Sequence, residues 1–144
     1  MALAGRPLTL AAGAAAALPV AGSTARAVRT GWEPTDDKAI IATRAWDVLT
    51  RHPPLVGQYS EAGYVTGHPA HDLGPMLYWL LAVPVRIGGP AAMAVTMGIV
   101  NVAAVLAAVA LARAGGGRPL MLMTAVAIAL MSTCLLYTSD AADE

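Results

Sequence analysis

The sequence contains few charged residues. Asp, Glu, Lys and Arg make up 12% of its 144 residues, whereas a soluble domain carries about 25%. So few charges cannot cover a water-facing surface, and the hydrophobic fraction of 57% with a mean hydropathy of +0.60 indicates an integral membrane protein. The net charge is zero and there is no basic tract, so nothing indicates a nucleic-acid partner. The only cysteine, Cys134, excludes an intrachain disulfide and a cysteine metal cage.

Three apolar stretches are candidates for membrane-spanning helices. Residues 1–22 contain a weakly hydrophobic, alanine-rich run that is short against the roughly 20 residues of a spanning helix. Residues 90–112 carry no charge and would form a helix of about 33 Å, enough to cross the hydrocarbon core. Residues 119–136 form the third stretch, and the short turn 113–118 suits a helical hairpin. We therefore predict an all-α integral membrane fold with about three transmembrane helices and one or two amphipathic surface helices in the first outer loop.

The arginines predict the orientation of these helices. Arg113 and Arg118 lie in a very short turn without acids, which is expected in the cytoplasm, and Arg6 places the N-terminus on the same side. The polar loop 23–72 is then extracytoplasmic, and the protein is a multi-pass protein of the cell membrane. The alternative for residues 1–27 is a secretory signal peptide that ends in "ARA", which also leaves the loop outside.

Residues 73–89 contain a fourth apolar run that is too short to span a membrane. It holds Pro84 and Arg86, and its side chains Tyr78 and Trp79 are of the types that favour the membrane–water interface. We expect a helix that lies along the outer membrane surface. The alternative is a buried, kinked segment of a re-entrant loop.

Asp36 and Asp37 are adjacent carboxylates at the start of the helix-like pattern "TDDKAIIATRAWDVLTRH". Thr35 is a candidate N-cap, and "HPP" at residues 52–54 ends the pattern. Backbone N–H groups at a helix N-terminus stabilise negative charge and favour ionised acids. Two interpretations compete: the acids cap the helix, or they serve as catalytic or metal-binding groups.

The sequence "HPAHD" at residues 68–72 is a second polar cluster. His68 and His71 are three residues apart and would suit a divalent metal if they were helical. Pro69 between them favours a turn instead. A contact of His71 or Asp72 with the substrate is therefore the preferred interpretation.

The order of these elements resembles the N-terminal part of the GT-C glycosyltransferases, in particular the protein O-mannosyltransferases and the lipid A aminoarabinose transferases. An acid pair precedes an amphipathic helix, then "GPMLYWLLAVPVRIGG", then a long apolar helix ending in "ALARAGG". The resemblance covers roughly residues 8–112, in the order of elements more than in identities. The residues that match the second element are Gly74, in place of the family's proline, Pro75, Leu77, Tyr78 and Trp79.

The resemblance implies transfer of a sugar from a polyprenyl-phosphate donor to an acceptor on the outer membrane face. It implies that Asp36 is the general base and that Asp37 is its partner or a capping acid. His71 and Asp72 are the expected substrate contacts. The implied partners are the lipid-linked sugar, membrane lipids and an acceptor of unknown chemistry. The sequence requires no cofactor, although a divalent metal would suit a phosphate leaving group.

The last residues, 134–144, read "CLLYTSDAADE" and resemble the peptide produced when a reading frame runs into sequencing-adapter DNA. We expect this tail to be non-native, and the chain to be the front of a longer enzyme with more spanning helices, inactive alone. The alternatives are a small three-helix protein with an acidic tail, another non-enzymatic membrane protein, a transporter fragment, and a secreted domain behind a signal peptide.

Overall fold

The computed structural model describes residues 6–72 and 75–142, with side chains up to Cys134. Within these residues the chain is mostly helical and has no β-strand, only an isolated bridge between Tyr59 and His71. The all-α part of the fold prediction is therefore confirmed. The helices are α1 (Arg6–Thr30), α2 (Asp36–Asp47), α3 (Ala62–Thr66) and α4 (Met76–Ala142).

Helix α1 is longer than the predicted segment 1–22, of which residues 1–5 lie outside the described residues. It has 25 residues, about 37 Å, so the helix is longer than the short apolar run of residues 1–22 that was predicted as the first transmembrane helix. The hydroxyls of Ser23 and Thr24 bond back to Val20 O at 2.8 and 2.9 Å, inside the helix. The helix ends at Gly31, whose φ of +66° is left-handed. The loop therefore begins near residue 31 and not at residue 23.

Helix α4 is a helical run of 67 residues that two glycines interrupt. Gly89 and Gly117 have φ values of +57° and +69°, which do not occur within a regular right-handed helix. They divide α4 into segments 76–88, 90–116 and 118–142. The breaks follow from the sequence, because a positive φ suits glycine and each glycine is followed by a proline within two residues. Gly74 and Leu73, which belong to the predicted surface helix 73–89, lie outside the described residues.

The chain divides into two units, one joining residues up to Arg29 with those from Met97, the other formed by Thr30–Thr96. In the first unit, Val109 and Met121 belong to one buried cluster with Ala16 and Ala125. A straight helix would separate Val109 from Met121 by about 18 Å, so the chain reverses direction near Gly117. Gly117 lies within the predicted turn 113–118, and the chain is helical up to that glycine.

Helix α1 packs closely against segment 90–116 of α4. A methyl group at Gly13 would lie 2.8 Å from Leu106 Cδ2, and one at Gly98 would collide with Thr24. Residue numbers rise along α1 as they fall along α4 at these contacts, so the two helices are antiparallel. Glycine at each crossing point allows this close approach.

In the second unit, α2 packs on the start of α4. Val48, Tyr78 and Ala82 form a buried cluster with Ile41 against it, and Ala45 is fully buried. Ile41, Ala45 and Val48 are spaced as one face of a helix. Part of the predicted apolar stripe thus faces the protein, whereas Ile40, Trp46 and Leu49 are exposed. Helix α2 ends at Asp47, five residues before the predicted stop at His52.

Helices α1 and α4 are the described segments long and apolar enough to cross a membrane. Only 17% and 11% of their most apolar windows are buried, unlike the core helices of a soluble protein. Large apolar side chains are exposed along both, with Leu111, Met123 and Met131 each about 70% accessible. Such extended apolar surface marks a contact with lipid or with other apolar helices.

Candidate active site around the acidic pair

Helix α2 starts as the sequence predicts, with both acids in its first turn. Thr35 is at the N-cap position with an extended backbone, and its carbonyl accepts hydrogen bonds from Lys38 N at 3.0 Å and Ala39 N at 3.2 Å. Thr35 is therefore the N-cap, as predicted, although its side chain makes no capping hydrogen bond.

Asp36 has a left-handed backbone with a φ of +47°, the only positive φ of a non-glycine residue in the described part of the chain. Aspartate tolerates this region better than most residues. The conformation still costs on the order of 1 kcal/mol and persists only when the surroundings impose it. Conformations of this kind cluster at functional sites. The Asp36 side chain is exposed.

Asp37 is also exposed, and a distant residue holds its carboxylate. Gln58 Nε2 donates a hydrogen bond of 2.9 Å to Asp37 Oδ1, across 21 residues of sequence. The carboxylate of Asp37 is therefore oriented by the loop.

Gln58 also connects the acids to the second predicted cluster. Its carbonyl accepts the N–H of Asp72 at 2.8 Å, and Ser60 N donates to Ala70 O at 2.9 Å. These two bonds flank Tyr59 and His71, which face each other as the non-hydrogen-bonded pair of a short antiparallel ladder. Two hydrogen bonds made by Gln58 therefore link Asp37, on α2, to Asp72 in the loop.

The ladder separates His71 from Asp72. Successive side chains of an extended chain point to opposite faces. Asp72 is therefore expected on the face of Gln58 and the acids, and His71 on the face of Tyr59. The two residues, predicted together as substrate contacts, belong to different surfaces.

The ring of His71 is oriented by two contacts. Its Nδ1 lies 3.2 Å from Gly57 O, and its ring meets that of Tyr59 edge to face at 5.9 Å between centroids. A carbonyl can only accept, so the contact is a hydrogen bond when Nδ1 carries the hydrogen. His68 and His71 do not share a helix, in agreement with the predicted turn.

Arg86 holds the other end of α2. Its Nη2 donates to Trp46 O at 2.6 Å, and its guanidinium lies 4.8 Å from the centre of the Trp46 ring. A cation near the last carbonyls of a helix complements the helix dipole, and the stacked ring adds a cation–π contact. Lys38, near the acids, lies 5.8 Å over the Trp32 ring.

This part of the chain provides two exposed carboxylates at the start of α2, and the amide of Gln58 and the imidazole of His71 in the loop that follows α2. Exposed carboxylates can accept protons or hydrogen bonds from a hydroxyl group. Among the described residues, no three His, Cys, Asp or Glu side chains are grouped as metal ligands.

Sequence reasoning missed Gln58 and Tyr59. A single glutamine in a loop carries no periodic or motif signal, and its pairing with Asp37 depends on tertiary folding. Comparisons with protein-family models, curated proteins and solved structures find no match to this chain.

Proposed function

We propose that this is an integral membrane protein in which α1 and α4 cross the lipid bilayer. The low burial of their apolar windows supports this, as does the exposure of large apolar side chains along them. The reversal near Gly117 supports three crossings, with α1, segment 90–116 and segment 118–142 alternating in direction. The arginines of the turn favour its cytoplasmic side, and the loop with the acids is then extracytoplasmic.

We propose further that the protein is the N-terminal part of a membrane glycosyltransferase of the GT-C type. Such an enzyme transfers a sugar from a polyprenyl-phosphate donor to an acceptor on the outer membrane face. The observation that carries this proposal is the acid pair. Asp36 is exposed in a left-handed conformation, and Asp37 beside it is oriented by Gln58. Acids that only cap a helix need neither feature.

The reaction requires a proton acceptor, which we assign to Asp36. The acceptor hydroxyl loses its proton to the Asp36 carboxylate as its oxygen forms a bond to the anomeric carbon. The bond between that carbon and the phosphate oxygen breaks, and polyprenyl phosphate leaves with the electron pair. A carboxylate within hydrogen-bond reach of the hydroxyl makes it a better nucleophile.

Asp37 and Gln58 act together in this scheme. The amide of Gln58 fixes one oxygen of Asp37, and the other oxygen is available to a substrate hydroxyl. Side chains alternate between the two faces of the ladder, so Asp72 lies on the same face as Gln58, where it is a further substrate contact. We assign His71 to the opposite face, where its ring contacts that of Tyr59.

The proposal is tested with membranes that contain the protein expressed from its complete reading frame. The membranes are incubated with a panel of polyprenyl-phosphate-linked sugars, and released polyprenyl phosphate is measured. Release above that of control membranes, for at least one sugar, is the expected result. If no donor is consumed although the protein is present and folded, the proposed reaction is wrong.

A further inference from the structure

The loop between α2 and α4 presents apolar side chains to its surroundings. Leu55 and Val56 are 75% and 56% exposed, and Tyr64 and Val65 on α3 are 80% and 89% exposed. Within residues 53–67 only Glu61 is charged. A water-facing loop of this length normally carries more polar side chains, because exposed apolar area is unfavourable in water.

The exposed tip, Tyr64–Val65, is fixed by hydrogen bonds and packing contacts of the residues around it. The Gly67 N–H donates to Gly63 O at 3.0 Å and caps α3, and Gly67 itself is left-handed. Gly63 is buried against Tyr59, since a methyl group there would lie 2.6 Å from Tyr59 Oη. The ring of Tyr64 meets that of Tyr59 edge to face at 5.8 Å. The tip therefore projects from a packed structure.

We propose that this tip inserts into the interfacial region of the membrane that α1 and α4 cross. The loop leads directly into α4, and α2, which precedes the loop, packs on the start of α4, so both ends of the loop are held near the point where α4 begins. Tyrosine is enriched at membrane interfaces, where its ring is in the apolar region and its hydroxyl is hydrated. The near absence of charge excludes the repulsion and desolvation that a charged tip would meet there.

Insertion of the tip would also orient the loop between α2 and α4. Tyr64 contacts the face of the ladder that holds Tyr59 and His71, and the side chains of Gln58 and Asp72 alternate to the other face. When the face with Tyr59 and His71 is directed toward lipid, the face with Gln58 and Asp72 is directed toward water. This inference rests on the membrane-spanning part of the proposed function and is independent of glycosyl transfer.

The test measures the depth of single fluorescent labels in the complete protein, reconstituted in phosphatidylcholine vesicles. Three variants in a Cys134→Ser background each carry a polarity-sensitive fluorophore: Val65→Cys at the tip, Glu61→Cys at the start of α3, and Val126→Cys on the exposed side of α4. Quenching by nitroxide-labelled lipid is compared with quenching by aqueous iodide.

We expect lipid quenching at residues 65 and 126, and iodide quenching at residue 61. Adding Tyr64→Ser should shift the label at residue 65 toward iodide. A label at residue 65 that responds to iodide alone, or that is shielded from both quenchers by protein, would overturn the inference. Failure of lipid quenching at residue 126 would instead refute the membrane-spanning helices, so the two failures are distinguishable.

Discussion

Gln58 donates its side-chain amide to the carboxylate of Asp37 over 2.9 Å, and this bond joins the loop to the first turn of α2. The orientation of the acid pair thus depends on the chain 21 residues further on. Gln58 is itself held by the hydrogen bond between its carbonyl and Asp72 N, so the acids, the loop and the ladder form one connected structure.

Replacing Gln58 should reduce turnover without unfolding the protein. In Gln58→Ala the Asp37 carboxylate loses its donor, while the backbone bond to Asp72 is kept. We expect kcat to fall roughly 5-fold, as for the loss of one exposed hydrogen bond to a charged group. The assay is release of polyprenyl phosphate, and Ser60→Ala on the same stretch is the control. Equal kcat values for the two variants would remove Gln58 from the site.

Arg86 should stabilise the C-terminal end of α2 through Trp46. Arg86→Lys keeps the charge but loses the planar stacking and the guanidinium geometry. We expect roughly 10-fold faster amide hydrogen exchange in the last turn of α2, for a loss of about 1–2 kcal/mol. Arg44→Lys, at an exposed position of the same turn, is the control. Exchange no faster than in the control would show that the Arg86–Trp46 contact contributes little.

The crossing of α1 and α4 depends on Gly98. Gly98→Ala introduces a methyl group that collides with Thr24 and should destabilise the protein by about 1–3 kcal/mol. The measurement is the denaturation midpoint in detergent. Thr24→Ala should partly restore stability in the double variant, because it removes the two colliding atoms of the threonine. Gly115→Ala is the control, since its methyl group would meet nothing within 4 Å. No difference between the two glycine variants would refute the close packing.

The proposed orientation places Glu61 outside the cell and Gly115 inside it. Each is replaced by cysteine in a Cys134→Ser background and treated with a membrane-impermeant thiol reagent in intact cells. We expect labelling at residue 61 alone, because the arginines of the turn keep it cytoplasmic. Gly115 is preferred to Gly116, where a side chain would collide with Leu120. Labelling at residue 115 but not 61 would reverse the orientation.

The sequence predicts the helices well where local sequence signals decide their positions. The uncharged run 90–112, the glycines at 89 and 117 and the acids of the first turn are local signals, and the structure has the corresponding helix, breaks and helix start. The end of α1 was missed because hydropathy treats Arg26 and Arg29 as loop residues, although arginine and alanine are good helix formers. The chain therefore stays helical until Gly31.

The site was predictable only in part. The two acids are visible because they are adjacent and follow a capping residue. Neither the left-handed backbone of Asp36 nor the bond from Gln58 to Asp37 follows from local sequence, because both depend on how the loop folds back. The same folding pairs Tyr59 with His71, which separates His71 from its neighbour Asp72.

The central claim is that Asp36 and Asp37 serve chemistry, with Asp36 the more critical. The most direct measurement compares polyprenyl phosphate release by Asp36→Asn, Asp37→Asn and the double variant, with Glu33→Gln as the control for loss of a nearby exposed acid. If Asp36 is the general base, Asp36→Asn should reduce kcat by about 10²–10⁴-fold at normal expression, and Asp37→Asn should cost less. Asparagine caps a helix about as well as aspartate. Near-normal release by the double variant would therefore contradict the catalytic role and leave both acids as caps.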